Sequence, residues 1–412
     1  MTINTQELDP GASQIAFPKD CAYEVRVLRS LKEIESVRTV WCAMQWCPEA
    51  DIDFVSFIVN TRTNILHPYV VVVSKEGKPV SLFAARIENG HLPIKIGYKT
   101  LFRPKVRQLV IFYGGFMGDT SRPLCEIVVR QLLESLKQRE AEMLVWGGVG
   151  WESDLKDVLD KEPAWFCRDH LARSSEHWSL TLPGSLEEFI DQRLGKRSRQ
   201  WARKAIRTLN KEFSGEIRYG YFSSPEETKE LIAHATTISQ KTYQHGLGVG
   251  FKNDEEHLNR LNLEAQLGWL RGYVLFLKNK PVAFWSALEY RETGYLAFTG
   301  YDPDYHNYDV GSILFFHMIE DICRKNPKHI KRLDFGLGTS YYKSRFCDEK
   351  LEETTICVFA SSPRAVLLGL LRLVTVGPME MVANFFRGLG LEAKIKKLWR
   401  ARAIRRQQTA NQ

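Results

Sequence analysis

The strongest constraint on the fold is a pattern that occurs twice. Residues 70–80 read Val-Val-Val-Val-Ser-Lys-Glu-Gly-Lys-Pro-Val, and residues 273–282 read Tyr-Val-Leu-Phe-Leu-Lys-Asn-Lys-Pro-Val. Each run is an apolar strand, a polar turn and a Lys-Pro-Val start of a second strand, which predicts a β-hairpin. The same order of predicted elements surrounds both: helices, a hairpin or meander, a helix and a strand. Two unrelated hairpins with the same turn chemistry would also give this pattern, but we prefer a diverged duplication with a boundary near residues 150–180.

The alternation of helix and strand patterns predicts an α/β protein. The length of 412 residues fits two or three domains, and the apolar fraction of 44% excludes long-range disorder. Two helices are predicted from apolar spacing, one over 27–46 and one over 310–325. The predicted organisation is an unstructured leader (1–22), two domains (23–165 and 175–362) and a C-terminal tail (363–412).

Charge is distributed unevenly along the chain. The net charge is +8, and residues 363–412 carry ten Lys/Arg and two acids, so residues 1–362 sum to zero. A second basic block over 193–211 holds eight Lys/Arg and no acid. A wholly basic coat for nucleic acid is thereby excluded. The pattern indicates two local basic elements on an otherwise acidic body.

The cysteines and the N-terminal residues indicate the cellular compartment of the protein. None of the eight cysteines forms a CxxC pair, and most lie in apolar strings, which predicts buried free thiols in a reducing environment. No HExxH pattern occurs, so we expect no metal. Residues 1–11 lack the basic and apolar regions of a signal peptide. The expectation is a cytoplasmic protein.

A candidate phosphate site lies within residues 281–346. A predicted strand ends at Tyr301, a loop follows, and a helix begins near Gly311. Free N–H groups and the positive dipole end of a helix suit a phosphate, and glycine allows close approach. The alternative is that Asp309 or Ser312 merely caps the helix. The residues predicted to bind a cofactor here are Val310, Gly311, Ser312 and Ile313.

Three short segments carry a resemblance to a known family: 300–303 (Gly-Tyr-Asp-Pro) with 310–314, 333–336 (Leu-Asp-Phe-Gly), and 342–346 (Tyr-Lys-x-x-Phe). Together they resemble the GNAT acyltransferase superfamily, and more closely the CelD-like, cellulose-biosynthesis branch of acetyltransferases and the FemAB-type aminoacyltransferases. The resemblance covers about 180–360. It implies tandem GNAT-like domains with mixed, mostly antiparallel sheets, an acyl-CoA or aminoacyl-tRNA donor and an amine acceptor.

Acyl transfer to an amine needs a base, a stabilised oxyanion and a proton for the leaving group. Asp334, at a strand end before a Gly-rich loop, and Lys343 are predicted as base and oxyanion clamp. Tyr341 or Tyr342 would protonate the leaving group. The alternatives are that Asp334 caps the loop, that Lys343 is a surface cation and that the tyrosines pack in the core. We assign catalysis to Asp334, Lys343 and Tyr342, and substrate binding to Tyr301 and Tyr341.

The two basic elements suggest anionic partners. In the helix predicted over 195–211, Arg203 and Arg207 lie on the charged face and are predicted to bind substrate; the alternative is a solvated surface. Residues 391–406 combine seven Lys/Arg with Leu391, Ile395, Leu398 and Trp399. This composition is typical of a cationic amphipathic segment on anionic lipid, although it could instead dock on the body.

These observations favour an acyltransferase that moves an acetyl group from acyl-CoA to an amine. The expected acceptor is an exopolysaccharide or cell-envelope precursor, and the expected location is the cytoplasm, with attachment to the inner face of the membrane through 391–406. An aminoacyl-tRNA-dependent transferase is the first alternative. A silent accessory protein of a polysaccharide-synthesis complex is the second. It is favoured by the single glycine within 307–312, where GNAT enzymes usually have several.

Overall fold

The computed structural model describes residues 23–96, 99–242, 251, 253–325 and 330–388. The predicted leader (1–22), the cationic segment 391–406 and the glycine-containing run 246–250 therefore lie outside the described residues. The chain divides into two units, one of residues 1–174 with 352–384 and one of residues 175–351 with 385–412.

The strands are numbered in chain order. Their bounds are β1 Tyr23–Leu28, β2 Ile65–Lys75, β3 Lys78–His91, β4 Ile94–Ile96, β5 Lys99–Phe102, β6 Lys105–Gly118, β7 Met143–Gly150, β8 Ser175–Thr181, β9 Ile217–Phe222, β10 Leu270–Leu277, β11 Lys280–Tyr290, β12 Thr293–Tyr301, β13 Arg332–Leu337 and β14 Glu349–Phe359.

The α-helices are numbered in the same way. Their bounds are α1 Leu31–Glu35, α2 Arg38–Met44, α3 Ile52–Thr61, α4 Arg122–Lys137, α5 Asp154–Lys161, α6 Leu186–Arg193, α7 Lys196–Glu212, α8 Thr228–Ser239, α9 Glu255–Gln266, α10 Val310–Lys325, α11 Tyr341–Phe346 and α12 Pro363–Gly388. No helix of the described ranges is long and apolar enough to cross a membrane.

The first unit is built on a sheet with the strand order β1-β2-β3-β6-β7-β14. The pair β6–β7 is parallel, and the other pairs are antiparallel. Its core combines the inward faces of β2, β3 and β6 with α4, which buries Leu124, Val128 and Leu132. The strand β14 belongs to this sheet because residues 353–359 pair with 143–150 of β7.

The second unit repeats the arrangement with the strand order β8-β13-β12-β11-β10-β9. Here β12–β13 is the parallel pair, and the other pairs are antiparallel. The helix α10 packs Ile313, Phe316 and Ile319 into the core of this unit. The predicted α/β class with mixed, mostly antiparallel sheets is confirmed in both units.

The two hairpins that suggested a duplication have the same turn. Between β2 and β3 the turn residues are Glu76 and Gly77, and between β10 and β11 they are Lys278 and Asn279. All four have positive φ, between 50° and 74°. Two consecutive residues with positive φ form the turn whose twist matches that of paired strands. Both hairpins thus have the same two-residue geometry.

Of three helices predicted from the sequence, one differs from the structure and two agree with it. The helix expected over 27–46 is replaced by β1 and two short helices, because residues 23–28 pair with β2 as an edge strand. The basic helix expected over 195–211 is α7, and it is separated from α6 because Leu194 and Gly195 adopt extended conformations. The helix expected over 310–325 has the bounds of α10.

Candidate functional site

Each unit contains two parallel strands that separate after a short pairing. In the second unit, Thr293–Tyr295 of β12 pair with Arg332–Asp334 of β13, although both strands continue, to Tyr301 and Leu337. We call the space between residues 296–301 and 335–337 the β12–β13 wedge. In the first unit, β6 and β7 pair only over 108–110 and 143–145. Residues 111–118 and 146–150 bound the corresponding β6–β7 wedge.

Aromatic side chains fill the β6–β7 wedge. Trp146 directly follows the last paired residue of β7, and its ring centre lies 4.8 Å from Phe83 and 6.0 Å from Phe116. Phe83 stands opposite Phe116 in the sheet register. In the second unit the corresponding residue, five positions after the lysine that starts the strand, is Trp285, and it stands opposite Thr299. A threonine thus stands opposite the aromatic residue in the second unit, where the first unit has a phenylalanine.

The second unit has a cavity at its wedge, with a volume of about 400 Å³. Its walls come from the end of β12, the start of α10, the centre of β11 and the start of α11. The lining residues are Thr242, Trp285, Thr299, Gly300, Tyr301, Pro303, His306, Asp309, Val310, Gly311, Ser312, Phe315, Ser340, Tyr342 and Phe346. The cavity thus brings together five residues that the sequence singled out: Tyr301, Val310, Gly311, Ser312 and Tyr342.

Two of the lining residues carry unsatisfied polar atoms. Trp285 Nε1 and Ser340 Oγ are buried and have no hydrogen-bond partner within the described part of the chain. A buried donor without a partner costs about 1–3 kcal/mol. A ligand that accepts hydrogen bonds from these groups would recover that free energy.

The helix α10 begins at the cavity. The carbonyl of Asp309 accepts hydrogen bonds from the N–H groups of Ser312 (2.9 Å) and Ile313 (3.0 Å). The N–H groups of Val310 and Gly311, which also belong to the first turn of the helix, do not donate to this carbonyl. Ile313 is placed in the core by its apolar side chain and does not line the cavity.

Asp309 is fixed by a neighbouring helix. It adopts a left-handed conformation with φ 53°, and its Oδ2 accepts a hydrogen bond from Trp201 Nε1 at 2.7 Å. The guanidinium carbon of Arg345 lies 3.7 Å from the centre of the Trp201 ring, within cation–π range. A chain of contacts thus leads from Arg345 through Trp201 to the cavity edge.

Asp334 and Lys343 lie beside the wedge and are not among the residues that line the cavity. Asp334 Oδ1 accepts a hydrogen bond from the Gly336 N–H at 2.7 Å and lies 2.7 Å from His177 Nε2. Lys343 is only 6% exposed, and its ammonium donates to the carbonyls of Gly336 (3.0 Å) and Leu337 (2.8 Å). Burial lowers the pKa of Lys343. Both side chains thus hold the irregular end of β13, where Gly336 has φ 66°.

The two tyrosines and two arginines assigned to substrate occupy different places. Tyr301 lines the cavity and is 46% exposed. Tyr341 begins α11, and its side chain lies outside the described ones. Arg203 pairs with Glu187 (3.2 Å) and Asp191 (2.9 Å). Arg207 is exposed, and its Nε donates to the carbonyl of Arg203. Neither arginine is among the lining residues.

Sequence reasoning missed several residues of the cavity wall. Trp285 and Thr299 face each other in the register of β11 and β12, a pairing that the sequence does not reveal. Ser340 directly precedes the six-residue helix α11. The signal that was available is Trp285 itself, because a buried tryptophan usually finds a partner for its N–H.

The arrangement can hold a polar, elongated ligand. The N-terminus of α10 offers N–H groups to an anionic end, and the cavity extends from there to Tyr342, whose hydroxyl can donate a proton. Within the described residues, no group of three or more His, Cys, Asp or Glu side chains could hold a metal ion. The side chains of the lining can donate and accept hydrogen bonds and protons.

Part of the second unit is similar to a known protein family. Residues 196–344 match the family described as "Acetyltransferase (GNAT) domain". This range contains the cavity-lining residues from 242 to 342. No curated protein matches the chain.

Among solved structures, FemX superposes with a TM-score of 0.53 at 11% sequence identity, over 84% of this chain and 100% of that chain. A tandem GNAT protein from the clavulanic acid biosynthesis pathway gives 0.48 at 8% identity, over 82% of this chain and 99% of that one. A conserved Bacteroides thetaiotaomicron protein of unknown function gives 0.48 at 14% identity, over 80% and 97%. The likeness to FemX shows a common fold, and the repeated units agree with the tandem GNAT-like organisation predicted from the sequence.

Proposed function

We propose that this protein transfers an acyl group from acyl-CoA to an amine, with the reaction in the cavity of the second unit. The observation that carries the proposal is the cavity itself. Its wall contains the end of β12 that no longer pairs with β13, the start of α10, and the buried, unpaired Trp285 Nε1 and Ser340 Oγ. A wedge filled by side chains, as between β6 and β7, could not accept a donor.

The residues present fit a CoA thioester. The pyrophosphate would accept hydrogen bonds from the N–H groups of Val310 and Gly311, near the positive end of α10. Its acyl-bearing arm would run along the end of β12, past Thr299. When bound, acyl-CoA supplies an activated thioester carbonyl to the acceptor amine.

Different side chains of the cavity would carry out the two proton transfers of the reaction. His306 or Asp309 would accept a proton from the amine, and the Tyr342 hydroxyl would donate one to the leaving thiolate. We assign Asp334 and Lys343 to positioning, because they hold the backbone of Gly336 and Leu337 rather than the cavity. A direct role for either as base or oxyanion clamp stays a prediction.

An aminoacyl-tRNA donor is the second candidate, favoured by the basic residues of α7. Two acidic side chains of α6 already neutralise Arg203, which weakens α7 as an RNA-binding surface and favours CoA. A silent accessory protein remains the third. The acceptor, an amine on an exopolysaccharide or envelope precursor, and a contact of 391–406 with anionic lipid are part of the proposal and rest on the sequence.

Isothermal titration with acetyl-CoA and, separately, with charged tRNA tests the proposal. We expect saturable binding of acetyl-CoA that Trp285→Phe weakens, because this change removes the N–H and keeps most of the ring. Trp269→Phe is the control: Trp269 also packs edge-on against an aromatic ring but is not among the cavity-lining residues. Binding of tRNA alone would favour the second candidate, and binding of neither would favour the third.

A further inference from the structure

The first unit exposes a cluster of large apolar side chains. Its residues come later in the sequence than the strands β2, β3 and β6. Five of its residues are between 41% and 69% exposed: Trp165, Phe166, Leu367, Leu370 and Val374. Isolated exposed apolar residues are ordinary, whereas a contiguous group marks an interaction site. We call these five residues the α12 surface.

The five residues lie on one surface. Trp165, Phe166 and Leu370 line the same small cleft. Arg372 of α12 bonds to the buried carboxylate of Asp169 at 3.1 Å, which fixes the helix against the segment that carries Trp165. Leu367, Leu370 and Val374 follow one another at helical spacing and so share a face of α12.

The helix α12 is apolar on both faces. One face buries Ala365 and Leu368 against the first unit, and Gly369 packs closely on Phe359. The opposite face carries Leu367, Leu370 and Val374 at 57%, 41% and 69% exposure. A helix that is hydrophobic all round is normally buried on all sides, so the exposed face of α12 calls for a covering partner.

Charge identifies the partner. Directly after α12, residues 389–412 contain seven Lys/Arg and one acid. A second copy of this chain would bring the same cations to the contact and be repelled, whereas an anionic lipid surface would be attracted. Exposed tryptophan and phenylalanine, in a chain that also carries such a run of cations, are also typical of proteins that bind at the lipid–water boundary.

We propose that the α12 surface inserts its apolar side chains into the boundary of an anionic membrane, parallel to the bilayer plane. This is a contact site in the described part of the chain, separate from segment 391–406 and from the cavity. It does not depend on acyl transfer. The cations of 389–412 would bring the protein to the lipid, and the α12 surface would hold it there after the cations are screened.

The test is flotation of the full chain with phosphatidylcholine vesicles that contain phosphatidylglycerol, at low and high salt. At about 1 M salt the Debye length falls to about 3 Å, so the cations contribute little. We expect binding that persists at high salt, and a decrease of about tenfold in this residual binding for the combined variant Leu367→Gln, Leu370→Gln and Val374→Gln. Glutamine is uncharged and forms helices well.

The matched control replaces three leucines of similar exposure elsewhere: Leu66→Gln, Leu101→Gln and Leu351→Gln. We expect this control to bind like the unchanged chain. If the triple α12 variant melts early, the pair Leu367→Gln and Val374→Gln, at the two most exposed positions of the helix face, replaces it.

Three results would overturn the proposal. The first is equal high-salt binding by the α12 variant and the unchanged chain. The second is the absence of any binding at high salt. The third is a dimer in sedimentation equilibrium that the α12 substitutions convert to a monomer, which would identify the surface as an interface between copies.

Discussion

At the scale of single residues, Gly311 gives a graded test of the donor site. A Cβ built there would lie 3.4 Å from Tyr301 Cδ1, an ordinary contact. We therefore expect Gly311→Ala to change acetyl-CoA affinity little. Gly311→Glu adds bulk and a negative charge beside the expected pyrophosphate and should weaken binding by about tenfold or more. Titration calorimetry measures both, and equal affinities would reduce the loop to a helix cap.

Tyr342 can be tested by removing a single oxygen. Its ring packs 6.0 Å from Trp285 and 6.2 Å from Phe335, so Tyr342→Phe keeps the aromatic contacts. If the hydroxyl protonates the leaving thiolate, turnover should fall by about 10²-fold while the Kd of acetyl-CoA stays the same. Tyr290→Phe makes the same change at an aromatic contact outside the cavity lining and serves as the control. Normal turnover of Tyr342→Phe would remove it from the mechanism.

Lys343 predicts a dependence of stability on pH. Burial lowers its pKa in the folded protein below the ordinary value of 10.5, so the unfolded chain binds more protons between the two pKa values. The free energy of unfolding contributed by this group should therefore rise as pH increases through that window. Urea unfolding of the unchanged chain and of Lys343→Met, in steps up to pH 10.5, measures the difference. A difference that does not change with pH would contradict the lowered pKa.

At the scale of elements, we expect a bound donor to slow hydrogen exchange in the β12–β13 wedge and to leave it unchanged in the β6–β7 wedge. Backbone N–H groups on the β13 side of residues 296–301 lie beyond the end of the strand pairing. A ligand between β12 and β13 should slow their hydrogen exchange, along with that of residues 335–337. Residues 111–118 and 146–150 of the filled β6–β7 wedge are the control inside the same chain. Mass spectrometry with and without acetyl-CoA resolves both, and equal protection in both wedges would contradict a single site.

The elements also show what the sequence could predict. The two hairpins follow from a local signal, a polar turn between apolar strands, and α10 follows from its apolar period. All three elements were predicted. The strand β1 was not, because its pairing with β2 depends on residues more than forty positions away. The side chains that occupy the wedges could not be predicted from the sequence for the same reason. The positions of Phe83, Phe116 and Trp146 become neighbours only when three strands are in register.

The sequence indicated a candidate site in outline and left several roles open. The loop before α10 was located from glycine and from the strand–loop–helix order, and its residues do line the cavity. The orientations of Asp334 and Lys343 depend on the irregular register between β13 and β8, which shifts between Asp334 and Gly336. No pattern in one strand reveals a bulge that its neighbour imposes.

At the scale of the whole molecule, the C-terminal fifty residues should act as two parts. A chain that ends at residue 388 keeps α12 and loses the cations of 389–412. We expect it to melt like the full chain and to lose vesicle binding mainly at low salt. Calorimetry and flotation check the two halves of this prediction.

A chain that ends at residue 362 loses α12 as well. It would expose the apolar surface that Ala365 and Leu368 cover and leave the buried Asp169 carboxylate without Arg372. Loss of one partner of a buried ion pair costs about 3–5 kcal/mol, so this chain should melt well below the full one. An unchanged melting temperature would show that α12 does not stabilise the first unit.

The aromatic filling of the first unit offers a starting point for an engineered receptor. Phe83 corresponds in the strand register to Trp285, which lines the cavity of the second unit. Truncating Phe83 to alanine would cost about 3–5 kcal/mol of stability. The void left beside Phe116 and Trp146 would be apolar, and such voids remain dry and take up small arenes. Benzene should therefore restore part of the lost stability of Phe83→Ala, which would turn an occupied wedge into a designed binding pocket.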